Sequence, residues 1–157
     1  GPDSSLVKLG AYYKDELISV MTFSRGNISK GGNPKDLDKF ELSRYAVKKN
    51  YHCPGIASKL LSYFKKNYTW REIYSYADLR WSVGDVYETM GFNFIHKTPP
   101  QYWYVDCQKI ERIHRYRLRK EETDPIDMTE REIRKAEGYL RIWDCGLLKF
   151  SMINPEF

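Results

Sequence analysis

Residues 6–13 (LVKLGAYY) and 16–23 (ELISVMTF) are rich in β-branched and aromatic side chains, and only Lys14 and Asp15 separate them. That spacing predicts a tight antiparallel hairpin. From Ser24 to Lys39 the chain turns polar, with Gly26, Gly31, Gly32 and Pro34, which predicts a mobile surface loop carrying Arg25, Lys30, Lys35 and Lys39. Residues 40–47 (FELSRYAV) return to a strand pattern in which Phe40, Leu42 and Tyr45 share the burial. After Lys48 and Lys49, the segment HCPGIA opens a run where Ile56, Leu60, Leu61 and Phe64 recur at helical spacing, so a helix is expected from Gly55 to Asn67. Ile73, Tyr74 and Tyr76 then mark a strand over 73–77, completing a βαβ crossover that should be right-handed and parallel.

Beyond it, Ser82 with Asp85 three residues on reads as a helix start, and Gly91 as the end of a helix over 83–90. Strands follow at 92–96 and 102–105, joined by the Thr98, Pro99, Pro100 turn. Lys109, Arg112, Arg115 and Arg119 recur every three or four residues, so a helix would align them on one face, with Arg117 and Lys120 alongside. A plain solvated helix explains the same charges. Thr129 and Glu132 form a capping box for a helix ending at Gly138, and YLRIWDCGLLKF reads as a terminal hairpin around Asp144, Cys145 and Gly146.

A length of 157 residues bounds the chain to one domain and a modest appendage, and 41% hydrophobic residues suffice for a core without staples. A formal charge of +5 favours a polyanionic partner or an acidic small molecule such as a nucleotide cofactor. Cys53, Cys107 and Cys145 lie far apart, which suits a reduced cytoplasmic setting, and His52, His96 and His114 lack metal-ligand spacing, so no metal is expected. No apolar run approaches a membrane span. Residues 1–5 (GPDSS) read as a cloning remnant, which makes the chain a piece of a longer one.

The order of elements and the stretch His52, Cys53, Pro54, Gly55, Ile56, Ala57 resemble the GNAT-type N-acetyltransferases over residues 6–105. That family carries a Q/R-x-x-G-x-G/A turn whose backbone N–H groups hold the pyrophosphate of acetyl-CoA. The resemblance implies an α/β fold with a mixed sheet, in which an antiparallel hairpin precedes a central βαβ with splayed strands; the basic helix, second helix and hairpin read from the residues above would then form an extension packed on the core over 106–157. It also implies acetyl-CoA or another acyl-CoA at His52, Gly55, Ile56, Ala57 and Ser58. A glycine there lets a backbone approach a phosphate, and a helix start adds about half a positive charge. His52 stands where Gln or Arg is usual, and Pro54 removes one donor. A Pro-Gly helix start without a ligand is the alternative.

DVYETMGF is similar to the GNAT helix whose tyrosine protonates the departing thiolate, which puts Tyr87 in the place of the general acid. SYAD followed by Gly84, Tyr87 and the Gly91-Phe92 pair resembles the phage Mom-type DNA-modification proteins, which act on adenine in DNA. By that likeness Asp78 is a base or orienting carboxylate and Ser82 a further polar contact. The bland readings are that Tyr87 is a core aromatic, Ser82 a helix cap, and Asp78 the partner of Arg80 or Arg44. KLGAYYKDELISVMTF, PPQYWYV, HRYRLRK and GYLRIWDCG are similar to the C-terminal region of phage and intron-borne homing endonucleases, which implies a nuclease domain upstream. No nuclease motif is present in these residues.

Two readings result. One is an acyl-CoA-dependent transferase acting on or near nucleic acid, with Arg44, Arg80, Lys109, Arg112, Arg115 and Arg119 guiding DNA. The other is a non-catalytic DNA-binding module that keeps the scaffold. Tyr102, Trp103 and Tyr104 with Trp81 could stack an extruded base, but strand alternation lets only one face of 102–104 line a pocket.

Overall fold

The computed structural model describes residues 4–25, 33 and 35–157. The expected mobile loop falls largely on residues 26–32 and 34, outside the described ones. In chain order the elements are β1 (Val7–Tyr13), β2 (Glu16–Arg25), β3 (Lys39–Val47), α1 (Ile56–Asn67), β4 (Glu72–Asp78), α2 (Asp85–Thr89), β5 (Asn93–Lys97), β6 (Tyr102–Asp106), β7 (Glu111–His114), α3 (Glu130–Ala136), β8 (Tyr139–Trp143) and β9 (Leu147–Ile153). Six strands form one mixed sheet in the order β1-β2-β3-β4-β9-β5, and three form another in the order β7-β6-β8. By contacts the chain divides into two compact units: Gly1–Ala77, Ser82–His96 and Leu148–Phe157 in the first, Asp78–Trp81 and Lys97–Leu147 in the second. The sequence reading instead set a boundary after Val105.

In the first unit, Lys14 and Asp15 take φ of 48° and 64°, the left-handed pair that a two-residue hairpin loop requires. β1 and β2 pair antiparallel from Val7↔Phe23 to Tyr13↔Glu16. Alternation along β3 sends Phe40 and Leu42 to the core and Glu41 to the opposite face. The 3.6-residue repeat of α1 buries Leu60, Leu61 and Phe64. Phe64 is fully buried, its ring stacked on Phe23 at 3.7 Å and edge-on to Phe40 at 5.0 Å.

The second unit is held differently. Thr129 and Glu132 make the complete capping box that starts α3. Glu130 Oε1 accepts from the hydroxyls of Tyr102 at 3.0 Å and Tyr104 at 2.6 Å, and from Arg141 Nη2 at 3.0 Å. Arg134, 7% exposed, donates to Asp124, to Glu137 and to the carbonyls of Leu118 and Arg119.

Two expectations are corrected. Lys109 to Lys120 is not a helix: β7 pairs with β6, with Ile113 opposite Tyr104 and Arg112 opposite Val105, and a 3₁₀ turn follows over Arg115–Leu118. Lys109, Arg112, Arg115 and Arg119 therefore share no helix face; sheet pairing overrides a spacing that also suited a helix. Consistent with the turn expected at Thr98, Pro99 and Pro100, β5 and β6 lie in different sheets, since neither proline has an N–H with which to extend a ladder. β8 and β9 likewise part instead of forming a terminal hairpin. The backbone around their junction bonds elsewhere: Asp144 N–H to Gln101, Thr98 N–H to Leu147 and Leu79 N–H to the Gly146 carbonyl.

Candidate functional site

In the first unit, β3 and β4 run parallel but pair through only three positions, Lys39↔Glu72, Phe40↔Ile73 and Glu41↔Tyr74. All three lie at the amino ends of the strands, so the strands part towards their carboxyl ends. Ser75 Oγ donates to the Leu42 carbonyl at 2.7 Å, one residue beyond the ladder. Because α1 connects the two parallel strands, it begins at that same end, where open α/β sheets take ligands.

Gly55 is the N-cap of α1, at φ 75°. A Cβ there would meet nothing within 4 Å, so the position requires glycine for its left-handed backbone and leaves open space before it. No acidic residue occupies the first turn, whereas Lys65 and Lys66 occupy the last, the distribution that favours an anion at the start of the helix. His52 and Ser58 are exposed, while Ile56 and Ala57 pack partly against the core. The Ile56 N–H is spent on the Cys53 carbonyl at 3.3 Å.

Tyr87 is half-buried on α2, stacked on Phe150 at 5.3 Å and edge-on to Phe92 at 5.8 Å. Its ring is thus fixed by the core. The cap of α2 is Gly84 rather than Ser82, at φ 97°, where any Cβ would collide with the Phe150 ring. Ser82 is exposed and its Oγ accepts from the Gly84 N–H at 3.0 Å, bracing the turn ahead of the helix. Arg44 is exposed on β3, opposite Thr22.

Asp78 and Arg80 are counted with the second unit. Asp78 Oδ1 accepts from the Arg80 backbone N–H and from Nε, both at 3.0 Å, and Oδ2 accepts from Nε at 3.1 Å and from Nη2. The Arg80 side chain holds the Asp78 carboxyl below the usual range. A carboxylate so held is ionised and a weak base.

The basic residues pair with aromatic rings. Arg112 lies 3.9 Å above the Trp103 ring, Arg115 5.3 Å from Tyr102 and Arg119 4.9 Å from Tyr116. Lys109 is exposed, its N–H donating to Asp106.

Several residues escaped the sequence reading. Glu41, 6% exposed, stands at the last rung before β3 and β4 part. Buried Tyr74 has the ammonium groups of Lys39 and Lys149 at 5.4 and 5.3 Å from its ring. Alternation with Phe40 and Ile73 places Glu41 and Tyr74 on the face away from α1, but nothing local marks that face as buried. Among the described residues no three His, Cys, Asp or Glu gather as a metal would need, and no helix is long and apolar enough to cross a membrane.

Parallel strands that separate after three rungs, with a left-handed glycine opening the helix between them, define an α/β class: the fold of the GNAT acetyltransferases. Solved structures agree. A Bacillus subtilis acetyltransferase in complex with CoA matches at TM-score 0.51 and 13% identity, over 94% of this chain and 76% of its own. A GNAT family acetyltransferase from Elizabethkingia anophelis with acetyl-CoA bound matches at TM-score 0.51 and 17% identity, over 94% and 75%. A ribosomal-protein-alanine N-acetyltransferase from Brucella melitensis matches at TM-score 0.52 and 12% identity, over 94% and 68%. No curated protein matches. Within that fold the chain belongs to the Mom protein family, whose model matches residues 1–142.

Proposed function

We propose that this protein is an acyl-CoA-dependent transferase whose acceptor is nucleic acid. The observation that carries the donor half is the three-rung parallel ladder of β3 and β4, opening at the end where Gly55 starts α1. The neighbours solved with CoA or acetyl-CoA support the same reading.

The residues present fit the donor. Gly55 offers a left-handed backbone with open space before it, and the first turn of α1 carries no opposing charge. Pro54 contributes no N–H, so the donors would be those of Gly55, Ala57 and Ser58. When bound, an acyl-CoA supplies an acyl carbon activated as a thioester. Transfer would exchange the carbon–sulfur bond for a carbon–nitrogen bond, with the nitrogen's proton released to water and one proton delivered to sulfur. Tyr87 is the phenol assigned to protonate sulfur, and Phe150 and Phe92 orient its ring. Asp78 is assigned to the acceptor as an ionised orienting group, because its depressed pKa suits it poorly to act as a base.

Isothermal titration with acetyl-CoA tests this. Binding is expected and should weaken in Gly55→Asp, which puts a negative charge at the helix start. Absence of heat at millimolar ligand would remove the enzyme reading. A second reading, a binding module that keeps the scaffold beside an upstream nuclease, is favoured by the engagement of both Asp78 oxygens with Arg80. It predicts DNA binding without acetyl-CoA binding.

A further inference from the structure

The three-stranded sheet of the second unit has two faces of opposite character. On one, Tyr102 and Tyr104 are committed to Glu130, and Arg141 donates to the Tyr104 hydroxyl at 3.0 Å while lying 4.2 Å over Tyr102. On the other, the register sets Trp103 between His114 and Ile142, and Val105 between Arg112 and Leu140. Directly opposed residues share a face. Leu140 is 52% exposed and Ile142 41%, so this face is open to solvent.

Its chemistry is specific. The Arg112 guanidinium lies 3.9 Å over the Trp103 indole, and the His114 ring meets that indole edge-on at 4.7 Å and 89°. A guanidinium stacked on an indole keeps its outer plane free for another flat ring and its N–H fork free for a phosphate. Arg112 also acts electrostatically on Asp78, whose charge Arg80 already neutralises. The face thus presents one exposed guanidinium on an indole, flanked by exposed aliphatic side chains, and this complements a strand that is anionic along its backbone and aromatic at its bases.

We infer that the face formed by Trp103, Arg112, His114, Leu140 and Ile142 binds unpaired nucleic acid, a base stacking on the Trp103–Arg112 pair while Arg112 contacts phosphate. This rests on the proposed nucleic-acid acceptor and specifies it: the acceptor is engaged as single strand, by this face and not by the tyrosine face. A duplex keeps its bases inside and offers this face phosphates alone.

The test is fluorescence anisotropy of the full chain with a short labelled single-stranded oligonucleotide and with its duplex, across a salt series. The single strand should bind more tightly. Trp103→Ala should weaken it about tenfold, the loss of one stacked base. Arg112→Ala should weaken it by a similar factor and flatten the salt dependence by about one phosphate's worth. Arg112 is exposed, so this variant keeps the test valid should Trp103→Ala fail to fold. Tyr102→Phe, on the other face, should bind like the parent. Unchanged affinity in Arg112→Ala, or preference for duplex, overturns the inference. Acetyl-CoA titration of the same variants separates it from the transferase reading: donor binding with an inert face sinks only the inference, and a face-dependent strand affinity without donor binding sinks only the transferase.

Discussion

The two units are filled by different means. The first closes on apolar rings: Phe23, Phe40, Phe64 and Phe150 are each at most 3% exposed. The second closes on hydrogen-bonded charge, around Glu130 with its two tyrosines and Arg141, and around Arg134 with Asp124, Glu137 and two carbonyls. Apolar packing tolerates small changes of direction, because dispersion and the hydrophobic effect are nearly isotropic. A buried guanidinium does not, since each N–H left without a partner forfeits desolvation energy that only a correctly placed acceptor restores.

The largest effect expected is at Phe64. Phe64→Ala leaves a cavity beneath Phe23 and Phe40 and should remove about 3–5 kcal/mol, read as a fall in the urea midpoint. Phe64→Leu should recover much of that loss, because volume rather than geometry is what the site needs. A loss under about 1 kcal/mol for the alanine variant would break the contrast between the units.

Arg134 comes next. Arg134→Ala strands Asp124 and the carbonyls of Leu118 and Arg119, at a cost of about 3 kcal/mol by the same measurement. Arg134→Lys should rescue little, for an ammonium cannot span four acceptors set by a planar fork. Substantial rescue by lysine would show that charge, not geometry, holds this part of the chain.

The difference between the units also explains what could be read from the chain beforehand. Ile56, Leu60, Leu61 and Phe64 announce a buried helix face by their spacing alone, and Lys14-Asp15 announces a hairpin. The parallel βαβ and a helix start at Gly55 followed from the same local signals. By contrast, the pairing of Arg134 with Asp124, or of Glu130 with Arg141, joins residues whose separation carries no period, and both sit in stretches that look like ordinary solvated charge. The basic run from Lys109 to Arg119 fitted a helix as well as a strand, and the register with β6 decided between them. At the candidate site, Gly55 and Tyr87 were visible as motif residues. Arg80 was named beforehand as one partner of Asp78, but its hold on both oxygens is a matter of side-chain geometry that no spacing encodes.

Smaller again is the contribution of the Glu130 cluster. Tyr104→Phe removes one hydrogen bond to Glu130 and one from Arg141, and should cost about 1–2 kcal/mol. Burial pushes the Glu130 carboxyl up, but hydrogen bonds from Tyr104, Tyr102 and Arg141 outweigh it and hold the group below its usual value. A carboxyl depressed in the folded state contributes stability that is complete above its unfolded pKa of about 4.3 and is lost as pH falls through the folded value. The urea midpoint should therefore decline more steeply below about pH 4 in the parent than in Glu130→Gln, which has no such proton to take up. Parallel declines would remove Glu130 from the acid response.

The smallest effect belongs to the Asp78–Arg80 pair. Asp78 and Arg80 make as many hydrogen bonds as the Glu130 cluster, yet their side chains are 27% and 34% exposed, and water competes for every one. Arg80→Ala should change stability by less than about 1 kcal/mol, where the buried Arg134 costs several times more for similar contacts. Its consequence is electrostatic instead. Arg80 is the main cause of the low Asp78 pKa, so its removal should raise that carboxyl towards the ordinary carboxylate range, followed by NMR titration. If catalysis uses Asp78 as an orienting anion, Arg80→Ala should leave it ionised at neutral pH and able to turn towards an acceptor, raising turnover or leaving it unchanged. If Arg80 instead holds Asp78 in its working geometry, kcat should fall while the melting temperature stays put.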